Sequence, residues 1–183
     1  MEDRRVAKTK RIIKQVFLDL LKTNPINKIS VSEITRLADI GRGTFYFHYL
    51  DVYDLQEKIE DEICDNLLMI FDKIYKTPAN FKPLFFAIID YISEHGDLFS
   101  LLVVKHAASS KLMQKIRQFF VSKISSLIPE KYMADYHKVR ILFVVSGVIG
   151  VIDDLVRKDS KLEKEMISRE LSKMMSLLEE EST

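Results

Sequence analysis

The chain has 183 residues, of which 47% are hydrophobic and 30% charged, so it carries enough apolar material for a core and is not a disordered segment. It contains 5 glycines and 4 prolines, too few for an all-β protein with many tight turns. The single cysteine, Cys64, excludes an intrachain disulfide.

The net charge of +1 at pH 7 conceals an asymmetry along the chain. Residues 1–50 carry 10 Lys and Arg against 5 Asp and Glu, whereas residues 51–183 carry 18 against 22. A basic N-terminal part on an acidic remainder favours a partner that is a polyanion, such as a nucleic acid. The alternative is a charged face that merely meets water.

The sequence contains neither an apolar leader at its start nor a membrane-spanning run. Its longest near-continuous apolar stretch, 141–152, is well short of the roughly 20 residues that cross a bilayer. We therefore expect a soluble, cytoplasmic protein.

Helical periodicity begins at once, with a predicted helix over 6–21 that Pro25 follows. Ser30 and Glu33 form a capping-box pattern, which predicts the start of a second helix. A third, short helix ends at His48, and Asp51 is placed to cap a long fourth helix over 52–75. Further helices are predicted over 81–93, 98–104, 111–128, 132–157 and 162–178, so the fold class is all-α.

The second and third helices, with the short turn between them, are typical of a helix-turn-helix. We expect Ile34 and Leu37 to pack against the first helix, and Ile40 to lie beneath the turn. Asp39 suits a turn position of positive φ, because Asp is one of the few residue types that tolerate it. Phe45 is expected to point inward, together with Tyr49.

The string Ala-Asp-Ile-Gly-Arg-Gly-Thr-Phe-Tyr-Phe-His-Tyr over 38–49 resembles the signature of the TetR/AcrR family of transcriptional regulators. The resemblance in residues covers about the first 55 positions, and beyond them only the helix layout is similar. It implies a helix-turn-helix DNA-binding domain over 1–51 and a helical ligand-binding and dimerisation domain over 52–183, with about nine helices in total.

The chain departs from the family pattern at several positions. Asp39 stands where glycine is usual in the turn, and Thr35 where alanine is usual. Gly41 replaces the Ser or Thr that caps the recognition helix, a weaker cap by a few tenths of a kcal/mol. Val52 replaces a phosphate-contacting lysine, which predicts a salt dependence flatter by about one unit.

The resemblance implies DNA contacts at the start of the second helix and along the third. Arg42 is the best candidate for a base reader, because its guanidinium matches the O6 and N7 edge of guanine. Packing or plain solvent exposure is the alternative for Tyr46, Phe47 and His48. The expected DNA-binding residues are Ser30, Ser32, Arg42, Gly43, Thr44, Tyr46, Phe47 and His48.

The resemblance also implies a small-molecule effector bound among the helices of residues 52–183, which we call the body; residues 1–51 are the head. Aromatic residues and methionines at helical spacing are more often ordinary core, and this remains the alternative at each position. The candidate pocket residues are Phe71, Tyr75, Phe85, Phe86, Ile89, Phe99, Leu102, Met113, Phe119 and Phe120.

The last two helices are expected to form a four-helix bundle with a second copy of the chain. The stretch 141–152 is apolar on every face, which a central core helix would also explain. The candidate interface residues are Ser146, Gly147, Gly150, Met166, Ile167, Leu171, Met174 and Leu178.

Other classes of function find less support. The sequence lacks G-x-S-x-G, a Walker loop, a zincin motif and a glycine-rich nucleotide-binding pattern, so we expect no enzyme and no cofactor. His95, His106, His137 and Cys64 are not arranged in pairs typical of metal sites. The expected function is a repressor that binds a palindromic operator as a homodimer. An activator of the same family, or a helical adaptor without DNA binding, is the alternative.

Overall fold

A computed structural model of the chain describes residues 4–76, 81–106, 111–126, 134–158 and 163–180, with the side chains of all of these except 158 and 175–180. The described part is helical and contains no strand, as expected for the all-α class. The helices are α1 (Arg4–Leu21), α2 (Val31–Leu37), α3 (Arg42–His48), α4 (Val52–Ile74), α5 (Phe81–Glu94), α6 (Gly96–Phe99), α7 (Leu112–Ser125), α8 (Asp135–Lys158) and α9 (Lys164–Glu180).

The first three helices enclose a small core. Ile13 and Phe17 of α1, Ile34 of α2 and Phe45 of α3 are all completely buried. Leu37 is an exception to the expected packing, because 48% of its surface is exposed. Ala38, four residues after Ile34 and therefore on the same side of the turn, takes the buried place instead.

The long helix α4 joins this part of the chain to the rest. Its apolar stripe, which includes Leu55 and Leu67, is buried along its length, and α4 packs against α5 and α7. Lys115 of α7 lies 2.6 Å from a carboxylate oxygen of Asp61 and 3.7 Å from one of the buried Glu60. Gln56 donates a hydrogen bond to Glu60 at 2.8 Å. Ion pairs therefore join α4 to α7 beside their apolar contact.

The body is assembled from two pairs of packed helices, α5 with α9 and α7 with α8. After the short helix α6, the chain continues in π-helical geometry over Ser100–Lys105, where a single helix over 98–104 was expected. Leu101, Leu102 and Val103 are all buried in this wider turn. An α-helix with one buried face would not cover three consecutive side chains.

The end of the π-helical segment touches the end of α1. The Nε2 atom of His106 lies 2.8 Å from the carbonyl oxygen of Leu21, and Lys105 donates a hydrogen bond to the carbonyl of Lys22. Both carbonyl groups lie at the C-terminal end of α1, where backbone acceptors lack partners within the helix, and the two side chains supply those partners. The body therefore holds the first helix directly as well as through α4.

Candidate nucleic-acid interface

Helix α3 presents one face to the core and the other to solvent. Phe45 is fully buried and Tyr49 is 7% exposed, so both point inward as expected. Tyr46 and Phe47 lie on the opposite side, with 55% and 78% of their surfaces exposed. Two neighbouring aromatic side chains on this face are therefore left in contact with solvent.

The turn before α3 has the expected backbone. Asp39 has a φ of 51°, the positive value for which its residue type is suited. The N–H of Ile40 donates to the carbonyl of Thr35 at 3.0 Å, which closes the turn on α2. Gly41 then adopts the extended conformation of a helix cap, with no side chain to accept a bond from the following N–H groups.

The start of α2 lies next to the start of α3. The Ser30 hydroxyl accepts a hydrogen bond from the N–H of Glu33 at 3.2 Å, so Ser30 caps α2. Two residues on, the hydroxyl of Ser32 accepts a hydrogen bond from Nη2 of Arg42. Ser32 therefore positions the guanidinium that the sequence makes the first candidate for reading a base.

Gly43 and Thr44 complete the exposed surface. Both are exposed, and no heavy atom lies within 4 Å of a Cβ built on Gly43. The backbone of α3 can thus approach another surface closely at this point. His48 is half-buried, and its ring lies 5.0 Å from that of Phe47. The structure brings all eight predicted residues to the starts of α2 and α3 or along the exposed side of α3.

A group of polar contacts fixes the far end of α3. Lys58 of α4 donates to the carbonyl of His48 and to the carboxylate of Asp54, both at 2.9 Å. That carboxylate also accepts from the N–H of Leu50 at 2.8 Å. Asp51 caps α4 by accepting from the N–H groups of Tyr53 and Asp54. The orientation of α3 is therefore tied to α4, the helix that leads to the body.

This arrangement changes the acidity of Asp54. Burial alone would raise the pKa of its carboxyl group, but the N–H of Leu50 and the ammonium of Lys58 outweigh burial and lower the pKa below its ordinary value. The carboxylate is consequently charged over a wider pH range than an isolated aspartate.

Val52 is 7% exposed and packs into the core, so this position offers no phosphate contact. The exposed side chain at the start of α4 is instead that of Tyr53, at 53%. The sequence pattern did not single out Tyr53, because an aromatic residue in the first turn of a helix is equally consistent with core packing. Its position two residues after the Asp51 cap, in the first turn of α4, was the available signal.

A second feature lies in the body, where α4, α5, α7 and α8 enclose an apolar cavity of about 50 Å³. Four of the predicted pocket residues, Phe71, Phe85, Met113 and Phe120, line it. The residues that the sequence analysis missed lie on all four helices: Leu67, Phe81, Leu84, Ile88, Ile92, Ile116, Ile124, Val144, Val145, Val148, Ile149 and Ile152.

The other six predicted pocket residues do not line this cavity, and their assignment stays a prediction. Phe99 and Leu102 are completely buried core residues, and Ile89 lines a neighbouring cleft. Phe86 is turned outward, with 37% of its surface exposed. Tyr75 stacks on Phe71, with 4.9 Å between the ring centroids, and Phe119 lies edge-on to Phe120, but neither lines the cavity.

Helix α8 exposes an apolar face on the side opposite the cavity. Val139 and Phe143 are 66% and 71% exposed. Ser146, Gly147 and Gly150 are also exposed, and no heavy atom lies within 4 Å of a Cβ built on either glycine. Small residues beside large exposed apolar ones suit the close approach of another helix.

The predicted interface residues of α9 divide into two groups. Ile167 and Leu171, each 6% exposed, belong to the core of the single chain, because α9 packs them against α5. This placement corrects their assignment to an interface. Met166 is half-buried, Met174 is 60% exposed, and Leu178 lies outside the described side chains.

Within the described residues, no group of three or more His, Cys, Asp and Glu side chains is placed to hold a metal ion. Burial raises the pKa of the Cys64 thiol to about 11, so the group is protonated at neutral pH. None of the described helices is both long enough and apolar enough to cross a membrane.

A helix-turn-helix with an exposed second helix, carried on a helical body, is the architecture of a DNA-binding regulator. Residues 79–177, more than half of the chain, match the TetR_C_8 family, the C-terminal region of a transcriptional regulator. The chain belongs to the TetR family of transcriptional regulators, which is not a family of enzymes.

The chain is also similar to a curated relative, the uncharacterized HTH-type transcriptional regulator YxbF of Bacillus subtilis (strain 168). The two are 34% identical over 67 residues, which cover 36% of this chain but 18% of that relative.

Solved structures share the fold over nearly the whole chain. A TetR-family transcriptional regulator from Syntrophomonas wolfei has a TM-score of 0.71 at 14% identity and covers 94% of this chain and 95% of its own. The dihydroxyacetone kinase operon activator DhaS has a TM-score of 0.61 at 15% identity, and the match covers 93% of this chain and 95% of DhaS.

Proposed function

We propose that the chain represses transcription by binding a palindromic operator as a homodimer, and that a small-molecule effector releases it. The observation that carries this proposal is the exposed face of α3, where Arg42, Gly43, Thr44, Tyr46 and Phe47 lie together next to Ser32. A short helix with this exposed mixture of guanidinium, hydroxyl and aromatic groups suits the major groove of DNA.

Residues 1–51 form the DNA-binding domain in this proposal. Arg42, held by Ser32, reads a guanine edge, and the small Gly43 lets α3 approach the bases. Thr44 contacts a thymine methyl group or a phosphate, and Ser30, Tyr46 and His48 contact the backbone. Phe47, the most exposed aromatic of the helix, contacts a base edge.

Residues 52–183 bind the effector and the second subunit. Exposed apolar residues of α8 centred on Phe143, with Gly147 and Gly150 beside them, form the contact between two copies, and Met174 of α9 lies at its edge. Covering such a face removes apolar surface from water, which stabilises the pair. The dimer places two copies of α3 about one DNA turn apart, where they read a palindrome.

The effector occupies the apolar cavity enclosed by α4, α5, α7 and α8. Helix α4 links that cavity to α3 through Lys58, which donates to the carbonyl of His48. An effector that favours a different position of α4 therefore favours a different position of α3, and the population moves away from the DNA-bound form.

The experiment that tests DNA recognition is selection of bound sequences from a random pool, followed by binding measurements at several salt concentrations. We expect a palindromic site whose affinity falls steeply with salt. Arg42→Ala should cost about 1–3 kcal/mol on that site and relax the preference at one base pair of each half-site. Arg169→Ala, the same change on the exposed side of α9, is the matched control and should leave binding unchanged.

Two alternatives give different results in the same experiment. An adaptor without DNA binding would select no sequence and show no salt-dependent complex. An activator would select a site and bind it, but transcription from a promoter bearing that site would rise with the protein present. The fold does not decide the direction of control, because DhaS, an operon activator, shares it.

A further inference from the structure

Two spaces in the body share part of their lining. One is the apolar cavity of about 50 Å³, and the other is a cleft of about 890 Å³ formed by the end of α5, by α6 and by parts of α8 and α9. Ile92 of α5 and Ile152 of α8 line both spaces. These two side chains, 9% and 8% exposed, therefore stand between the cavity and the cleft.

The size of the cavity limits what it can hold. An engineered protein cavity of about 150 Å³ binds benzene, whereas sites for larger ligands measure about 300–1,000 Å³. At about 50 Å³ the cavity is smaller than either, so it must expand to admit a ligand. The cleft is in the range of full ligand sites, and a shift of Ile92 and Ile152 would join the two spaces.

The two spaces differ in polarity. The side chains that line the cavity are all apolar, so a charged or hydrogen-bonding group has no partner there. The residues that line the cleft include Glu94, Asp97, His95, Arg157 and Lys164, which all carry polar or charged side chains. A ligand that occupies both spaces must therefore have one apolar and one polar end.

The charges of the cleft favour a positive end. Arg157 is paired with Asp153 at 2.7 Å. Lys164 is paired with Asp90 at 2.6 Å. A third cation near Asp97, that of Lys22, is paired with Asp19 at 2.7 Å. With all three cations matched by carboxylates, Glu94 and Asp97 leave this region with an excess of negative charge. A cation placed in the cleft gains from that excess, and an anion does not.

We propose that the effector is an amphipathic cation whose apolar chain passes between Ile92 and Ile152 into the cavity and whose charged end stays in the cleft facing Glu94 and Asp97. This inference rests on the proposed function, since it names the chemical class of the effector. It also assigns the cleft, which no motif in the sequence indicated, as the subsite for the polar end.

The absence of tryptophan from the sequence makes a direct test possible. Phe120→Trp places a single fluorophore in the lining of the cavity, and Phe86→Trp places one on the outer side of α5 as the matched control. Each variant is titrated, in the full chain and without DNA, with decyltrimethylammonium and with decanoate below their micelle concentrations.

We expect decyltrimethylammonium to give a saturable change at Phe120→Trp, with little change at Phe86→Trp. Decanoate, with a similar chain and the opposite charge, should bind at least ten-fold more weakly. Butyltrimethylammonium should bind weakly too, because its chain is too short to reach the cavity from the cleft.

Two further variants locate the charged end and the passage. Glu94→Gln combined with Asp97→Asn, both on exposed side chains, should reduce the preference for the ammonium compound to less than three-fold. Ile152→Trp should narrow the passage and lower the affinity for decyltrimethylammonium. Val151→Trp, at the neighbouring exposed position, should leave that affinity unchanged. A tryptophan at position 152 must be accommodated in a packed site, so the folding of Ile152→Trp is compared with that of the parent by circular dichroism. If Ile152→Trp does not fold, the combined variant at Glu94 and Asp97 provides the test.

Equal binding of decanoate, or equal responses of the two tryptophan reporters, would overturn the proposal. So would the absence of saturable binding by any of the three compounds. Because these titrations contain no DNA, their outcome is independent of operator binding. If the ammonium compound binds as expected but no DNA sequence is recognised, the proposed function alone is contradicted. If DNA is recognised but the ammonium compound does not bind as expected, the effector class alone is contradicted.

Discussion

The helix-turn-helix head and the helical body differ in what specifies them. The head has a small core, and local devices mark its elements: the Ser30 cap of α2, Asp39 at positive φ, and the Asp51 cap where the head ends and α4 begins. The body has long apolar stripes and few such devices. Local devices fix where each helix begins, whereas an apolar stripe fixes which face is buried but not which element covers it. The exposed face of the head can therefore be predicted from local residues. The apolar faces of the body helices can meet the core, the cavity or a second copy of the chain, and the sequence does not say which.

The largest effect is expected from removing a buried aromatic in each region. Phe45 of α3 and Phe99 of α6 are both completely buried, so each change to alanine should cost about 3–5 kcal/mol of unfolding free energy. Because the core of the head is small, Phe45→Ala should unfold α2 and α3 and abolish DNA binding while the body stays folded. Phe99→Ala should instead weaken the body.

Hydrogen exchange read by mass spectrometry, with thermal unfolding by circular dichroism, separates these outcomes. Protection should be lost at α2 and α3 in one variant and around α5 and α6 in the other. A single transition that removes protection everywhere in both variants would show that the head and body unfold as one unit, contrary to their division at residue 51.

The same difference explains which parts of the molecule the sequence predicted. The head followed from its residues because capping, positive φ and inward aromatics each have a local signature, and Leu37 was misplaced because two neighbouring positions, 37 and 38, fit the buried side of a short helix about equally. In the body, periodicity identified the long helices α4, α5, α7, α8 and α9, but it merged α6 with the π-helical segment and did not give the partner of each face. Ile167 and Leu171 have the spacing of an interface stripe, yet they fill the core of their own chain.

The cavity was only partly predicted for a related reason. The apolar run in α8 was expected to pack both on its own chain and on a partner, but only its small residues were assigned, to the interface, and none of its residues was assigned to the pocket. Val145 and Ile152, seven residues apart, face the cavity, whereas Phe143 and Gly150, also seven apart, face outward. Two interleaved stripes of this kind are visible in the sequence, but which of them meets the chain itself depends on the packing of α7 against α8.

The next largest effect concerns the outward stripe of the body. Phe143→Glu puts a charge on the face proposed to meet the second subunit, where burial of an unpaired carboxylate is unfavourable. We expect monomers in sedimentation velocity. Operator affinity should fall by about 100-fold or more, because binding of one head no longer raises the effective concentration of the second head at its half-site. Phe86→Glu makes the same change on an exposed part of α5 and should leave the dimer intact. A Phe143→Glu protein that remains dimeric would place the interface elsewhere.

A smaller effect is expected where the head and body meet. Asp54→Asn removes the charge that accepts from Leu50 and Lys58, and should destabilise the protein by about 1–2 kcal/mol at neutral pH. Because folding lowers the pKa of Asp54, its contribution is present above the unfolded pKa of about 3.9 and is lost as pH falls through the folded pKa.

Denaturant unfolding at pH 7 and at about pH 3 measures this contribution. The gap between the parent and Asp54→Asn should be full at pH 7 and shrink at the lower pH, and Asp65→Asn, on an exposed position of the same helix, should show no such gap. A gap that does not change with pH would mean that the side chain acts through its shape rather than its charge.

The smallest effect, and a gain, is expected at the cap of α3. Gly41 has φ −71° and ψ 149°, the conformation in which a serine accepts bonds from the first N–H groups of a helix. A Cβ at this position meets its nearest neighbour, the Thr44 hydroxyl, at 3.9 Å, an ordinary contact. Gly41→Ser should therefore stabilise the head by a few tenths of a kcal/mol, and Gly41→Ala, which adds the Cβ without the acceptor, is its control. Thermal unfolding compares the two variants with the parent. A serine variant no more stable than the alanine variant would mean that the start of α3 gains nothing from a side-chain acceptor, and that local capping contributes less to the head than its other helices suggest.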